Sequence, residues 1–105
     1  MTTGIPYRTG SPSVFEWDEA KRTRNIAKHG IDFVAAVHVF GDSRRIERID
    51  RRRHYGEERR QMIGAVRRDV LFVAYTIRDG AIRIISARRA SKDERKAYYA
   101  GRVER

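Results

Sequence analysis

At 105 residues the chain is long enough for one domain with a real core, and it has no cysteine, which excludes disulfides and thiolate metal sites. No apolar run approaches the roughly 20 residues of a membrane span, and no signal-peptide pattern is present, so a cytoplasmic protein is expected. Lys plus Arg number 24 against 14 Asp plus Glu, a net charge of +10, and since only Lys21, Lys28, Lys92 and Lys96 are lysines, 20 are arginines.

Residues 1–13 lack both an apolar stretch and periodicity and are expected to be a flexible tail, leaving 14–105 as a single domain. Val14 to Trp17 is short, β-branched and aromatic and predicts a strand, with Trp17 as core. Asp18 is an N-cap for a polar helix from Glu19 to His29 that Gly30 stops. Ile31 and Asp32 open a second helix, whose apolar stripe Phe33, Ala36, Val37 and Phe40 must face a sheet or the first helix. Ser43 to Arg53 is so charged that only Ile46 and Ile49 can be buried, which suggests an edge strand blunted by arginines, followed by a loop through His54, Tyr55 and Gly56.

Three antiparallel strands are predicted next, Arg59 to Val66, Val70 to Arg78 and Ala81 to Arg88, the last two joined by the type I′ hairpin signature Asp79-Gly80. Ser91-Lys92-Asp93-Glu94 is a capping box, so a third helix runs from about Lys92 to Ala100 and stops at Gly101. The class is therefore α+β: an antiparallel sheet of an N-terminal strand plus a four-strand meander, two N-terminal helices and one C-terminal helix.

With Asp79-Gly80 as the turn, Arg78 pairs with Ala81, Thr76 with Arg83 and Ala74 with Ile85, so Arg78 and Arg83 share a face and Arg88 points to the other. With Arg68-Asp69 as the preceding turn, Arg59 lies opposite Arg78 and Gln61 opposite Thr76. The other face then collects Met62, Val66, Leu71, Val73, Tyr75, Ile77, Ile82 and Ile84, a credible core. Ile63, Phe72, Ala74 and Ile85 make the arginine face apolar at one end, which the C-terminal helix can cover.

Arginine offers a planar fork of donors that matches phosphate oxygens two at a time, so this surplus points to nucleic acid, an anionic membrane surface or an acidic protein. Guanidinium groups held close together repel, which favours a phosphate clamp; the alternative is pairing with Glu57, Glu58, Asp93 and Glu94 in surface networks. Lys28 and His29 fall at a helix C-terminus, where His29 either caps the helix or serves in catalysis. Glu58 beside Arg59 is either a general base or a charge partner. Tyr98 and Tyr99 are adjacent on a helix, so one is core and the other faces solvent or a base. His38 and His54 have no carboxylate at metal-ligand spacing, so no zinc site is expected, and no nucleotide-cofactor, P-loop or serine-hydrolase motif occurs.

The order FEWDEAKRTRNIAKHGIDFVAAVHVF, GEERRQMIGAV and YTIRDGAIRIISARRASKDERKAYY, across residues 15–99, resembles the BrnT toxins of BrnT/BrnA type II toxin-antitoxin modules. The resemblance implies a RelE-like fold, ribonuclease activity without metal or other cofactor, and neutralisation by a BrnA-like ribbon-helix-helix antitoxin, with operator DNA bound only through the toxin-antitoxin complex. It carries signature positions onto Lys28, His29, Glu58, Arg59, Arg78, Arg83, Ser86, Arg88 and Glu94. Joined to the register, it assigns His29, Glu58, Arg59, Arg78 and Arg83 to catalysis, and Lys28, Arg88, Arg89 and Tyr98 to RNA binding. The antitoxin is expected on the arginine face or on the first helix around Lys21, Arg24 and Lys28. A basic module that binds nucleic acid or an antitoxin without cutting is the alternative, although no basic recognition helix is present.

Overall fold

A computed structural model describes residues 5–6, 14–52 and 56–104. The elements are β1 (Ile5–Pro6), β2 (Val14–Glu16), α1 (Glu19–His29), α2 (Phe33–Val39), β3 (Ile46–Asp50), β4 (Arg59–Val66), β5 (Asp69–Arg78), β6 (Ala81–Arg89) and α3 (Lys92–Glu104). The strands form one sheet in the order β1-β2-β6-β5-β4-β3, a two-residue edge piece added to a body of five. The α+β class and the β3 to β6 meander agree with the sequence. Of the expected tail, residues 5–6 pair with β2, and the rest lies outside the described residues, as do His54 and Tyr55.

The sheet is mixed, not antiparallel throughout. β2 runs parallel to β6, with Phe15 opposite Ile82 and Glu16 opposite Arg83. Tight hairpins force antiparallel pairing, but β2 joins β6 from the other end of the chain, so no turn dictates its direction. Where β2 has ended, a helix side chain completes the edge. Asn25 of α1, buried, donates to the Ala87 carbonyl at 2.7 Å and accepts from the Ala87 N–H at 3.1 Å.

Local signals start the helices as expected, and Gly30 stops the first. The Asp18 carboxylate accepts from the N–H groups of Ala20 and Lys21, and Gly30 closes α1 with φ 71°, a conformation that favours glycine. Asp32 caps α2 and also receives the Arg22 guanidinium through two 2.9 Å bonds, which ties α1 to α2. Ser91 and Glu94 form the reciprocal capping box of α3. That helix passes Gly101 and ends at Glu104, because one interior glycine costs only about 1 kcal/mol relative to alanine.

One face of the sheet packs against α2 and the β2 to α1 segment. Phe15, Trp17, Phe33, Val39 and Phe40 are buried there against Met62, Leu71, Val73, Tyr75, Ile82 and Ile84. Phe40 stands edge-on to both Phe15 and Tyr75, with ring centroids 4.9 Å apart in each pair. A Cβ on Gly64 would lie 2.7 Å from Val39 Cγ1, so glycine lets α2 approach β4. The second face carries a smaller cluster of Ile63, Val70, Phe72, Ala90 and Tyr98, and α3 covers that end alone.

Two register details position the site. The β4 to β5 turn is Arg67-Arg68, with Val66 opposite Asp69 and Arg67 at φ 55°. Arg59 therefore opposes Thr76, not Arg78. Moving the turn by one residue shifts each pairing by two, so Arg59 keeps its face. The Asp79-Gly80 turn has both residues at positive φ, and Arg78 with Ala81 and Thr76 with Arg83 pair as expected. Beyond them the register slips: Tyr75 opposes Ile84, but Ala74 opposes Ser86, so Ile85 is the extra residue of a bulge. The bulge inverts the alternation and turns Ser86 and Arg88 onto the Arg83 face, correcting the expectation that Arg88 points away.

Candidate nucleic-acid interface

Pairing across the strands arranges the open face in rows. The first is Asp50, Arg59, Thr76 and Arg83, extended by Glu16 on β2. The second is Arg48, Gln61, Ala74 and Ser86; the third is Ile46, Ile63, Phe72 and Arg88. Arg78 stands one row beyond Thr76, at the hairpin end. The third row lies under α3, so apolar packing at one end holds the arginine rows at the other.

The arginines are clustered but not unpaired, as repulsion alone had suggested. Arg83 Nη1 donates to Glu16 at 3.1 Å, Arg78 Nη2 donates to Glu57 at 2.8 Å, and Arg59 Nε lies 3.7 Å from the same Glu57 carboxylate. Arg88 grips both carboxylate oxygens of Glu94 at 2.8 and 2.9 Å, with its guanidinium carbon 4.2 Å above the Phe72 ring. Hydrogen bonds from Arg78 hold the Glu57 carboxyl below the ordinary 4.5 despite partial burial, and those from Arg88 do the same for Glu94. Both are carboxylates near neutral pH, and each orients a guanidinium on the open face. Half of the Arg78 side chain is exposed. Such a surface can take a phosphate by exchange for a carboxylate or by adding to it.

The structure brings together Arg59, Arg78, Arg83 and Arg88 but separates the other expected site residues. Glu58, one residue off the Arg59 phase, turns its carboxylate to Arg60 at 3.0 Å, while its carbonyl accepts from the Thr76 hydroxyl. Glu57, two residues from Arg59, supplies the nearby carboxylate instead. Arg89 follows the opposite phase to Arg88, opposes Leu71 and lies 3.7 Å from Asp69. Tyr98 is the core tyrosine, 1% exposed with its hydroxyl on Asp42, whereas Tyr99 is 45% exposed; the face of α3 that meets Ile63 and Phe72 decides between them. Lys28 and His29 are on the last turn of α1, about 6 Å along the helix axis past the Asn25 anchor to β6. Among the described residues His29 makes no hydrogen bond or ion pair with the arginine rows.

Arg48 and Glu16 were not singled out from the sequence, whereas Glu57 was named as a charge partner of the arginines, Gln61 by its register position and Ser86 as a signature position. Phase alone points to Glu57, which shares the parity of Arg59. The apolar positions Ile82, Ile84 and Ala87 change from even to odd, and that break is the trace of the bulge. Nothing local links Glu16 to Arg83, which are 67 residues apart.

Among the described residues no three His, Asp or Glu side chains lie close enough to share a metal ion, and no helix is long and apolar enough to cross a membrane. The class the structure defines is an α+β domain with a mixed sheet and arginines along one open face. Residues 17–94 match the model of a family described as the ribonuclease toxin BrnT of type II toxin-antitoxin systems, and the chain belongs to that family. A toxin of this type has RNA as its target and an antitoxin as its partner. No curated protein matches the chain.

Proposed function

We propose that the chain is a metal-independent endoribonuclease of RelE-like fold that cuts RNA on the arginine face and thereby inhibits translation. The observation that carries this reading is the first row, where Arg59 and Arg83 flank Thr76 on the open face, with Arg78 one row away. In the reaction the ribose 2′-oxygen loses its proton to a base and attacks the adjacent phosphorus, the bond to the 5′-oxygen breaks, and that oxygen takes a proton from water, leaving a 2′,3′-cyclic phosphate and a 5′-hydroxyl. The pentacoordinate phosphorus carries an extra negative charge, which positioned guanidinium groups stabilise. Glu57 is the carboxylate at hand to accept the 2′-hydroxyl proton, in the role first assigned to Glu58 or His29.

The test is incubation of the purified chain with a defined RNA in EDTA. Cleavage that leaves 2′,3′-cyclic phosphate ends is expected, and activity lost in EDTA and restored by magnesium would overturn the mechanism. The same experiment addresses a second reading, a module that holds RNA without cutting it, favoured by the carboxylate partners on the arginines. That module would shift RNA in a gel and leave it intact.

The cognate antitoxin is proposed to be BrnA-like, with a ribbon-helix-helix part that brings operator DNA to the complex. Its acidic groups would replace RNA phosphates on the arginine face or dock on α1 around Lys21, Arg24 and Lys28. Added salt is then expected to slow association, since screening acts over about 10 Å at 0.1 M. A ternary complex that still cuts RNA would show that the two surfaces are separate.

A further inference from the structure

We infer that the second row of the open face is a nucleobase slot that selects guanine and uracil, whose keto oxygens O6 and O4 stand where adenine and cytosine carry an amino group, beside the phosphate-binding row. The inference rests on the ribonuclease reading and adds its specificity. Successive rows lie about 7 Å apart, so Ala74 floors a gap between the arginine of the first row and that of the third. A cavity of about 280 Å³ opens over this floor, and a second of about 520 Å³ adjoins it along Gln61, Phe72 and Arg88, together room for one planar ring system.

The chemistry of the walls is one-sided. Gln61 is 6% exposed, and its Oε1 is taken by Arg48 Nε at 2.6 Å. That bond fixes the carboxamide, and among the described residues its Nε2 has no hydrogen-bond partner. Nor is this nitrogen sealed from solvent. A buried amide whose two donors are unused points into the cavity it lines. Ser86, across Ala74, likewise has an unused hydroxyl. The acceptors on the walls are engaged: Asp50 receives two guanidinium bonds from Arg52, and Glu94 receives two from Arg88.

What remains is the Gln61 Nε2, which can only donate, and the Ser86 hydroxyl, which adapts to either role. Arg88 completes the slot, because Phe72 supports one face of its planar guanidinium and Glu94 fixes its rotation, leaving the other face for stacking. A base with a keto acceptor, guanine O6 with N7 or uracil O4, satisfies the Gln61 donors. The amino groups of adenine and cytosine bring donor against donor.

The experiment uses the full chain and four matched oligoribonucleotides that differ only in the base beside the cut site. It adds titration of the four 5′-nucleoside monophosphates followed by amide chemical shifts. Faster cleavage beside G and U than beside A and C is expected, by about five- to tenfold and mainly through KM. The G and U arms show which keto base fits better. Gln61→Glu, which keeps a partner for Arg48 but replaces donors by an acceptor, should reverse the order, and Gln61→Met should abolish it. If the wild type cuts RNA with the same base order as both variants, the slot is wrong and the ribonuclease reading stands. If the wild type does not cut, that reading fails and titration decides the slot. Shifts at Gln61, Ala74 and Ser86 with GMP or UMP but not AMP or CMP support it, and equal or absent shifts overturn it.

Discussion

The two faces of the sheet are built from alternate residues of the same strands, yet one is sealed and the other is half open. On the sealed face, Val73, Tyr75, Ile82 and Ile84 meet a layer of aromatic side chains from the β2 to α2 segment. On the open face α3 covers Ile63 and Phe72, and beyond that edge the alternating positions become arginine, threonine, glutamine and serine. Strand alternation thus lets neighbouring residues divide the work: one seals the core while the next presents charge. The apolar end of the open face serves both purposes, since it anchors α3 and holds Arg88.

If that division is right, substitutions on the two faces should affect different measurements. The largest effect is expected from Trp17→Ala, which empties a site 2% exposed and should cost about 3–5 kcal/mol in urea unfolding. Arg83→Ala and Arg59→Ala should lower the cleavage rate about 10- to 150-fold, the value of a charge-assisted contact of about 1.5–3 kcal/mol. Their unfolding midpoints should change by less than that of Trp17→Ala, because these ion pairs, although partly buried, keep 22–31% of their side chains open to water. A midpoint loss as large as that of Trp17→Ala would merge the two faces. Gly64→Ala drives a methyl group into Val39 and should destabilise by about 1–3 kcal/mol, with cleavage by the folded fraction unchanged.

The smallest effect concerns pH. Glu57 and Glu94 have carboxyl groups held below the ordinary 4.5, so their ion pairs contribute stability that is complete above that value. This stability is lost as the pH falls through their lower folded values. Arg88→Ala should flatten the part due to Glu94, seen as a shallower fall of the thermal midpoint with acid. An unchanged acid slope would show that the Arg88 to Glu94 pair does not hold α3.

Features set by a few adjacent residues were legible in the sequence. Asp18, Gly30, Ser91 with Glu94, and Asp79-Gly80 each act within about four residues, and each appears where expected. The edge position of the arginine-rich β3 was legible too. What failed depended on partners far along the chain. Arg67-Arg68 carries no turn signature, so the turn was placed one residue late, and the site survived because faces repeat every two residues. The bulge at Ile85 moved Arg88 to the site, and an assumed unbroken alternation hid it. Glu58 was carried over with the GEER motif, and its carboxylate meets Arg60, while Glu57, which shares the phase of Arg59, meets Arg78. Tyr98 and Tyr99 could not be told apart until the packing of α3 was known.

Cutting of RNA on the open face is tested by the rate at which three proteins cleave one defined RNA in EDTA. They are the wild type, Arg83→Ala and Arg89→Ala, the last removing an equal charge from the opposite phase of the same strand. Arg89→Ala is expected to stay within about threefold of the wild type while Arg83→Ala falls at least about tenfold, with both variants folded. Equal losses from the two variants would reduce the effect to net charge, and a larger loss from Arg89→Ala would put the site on the other face.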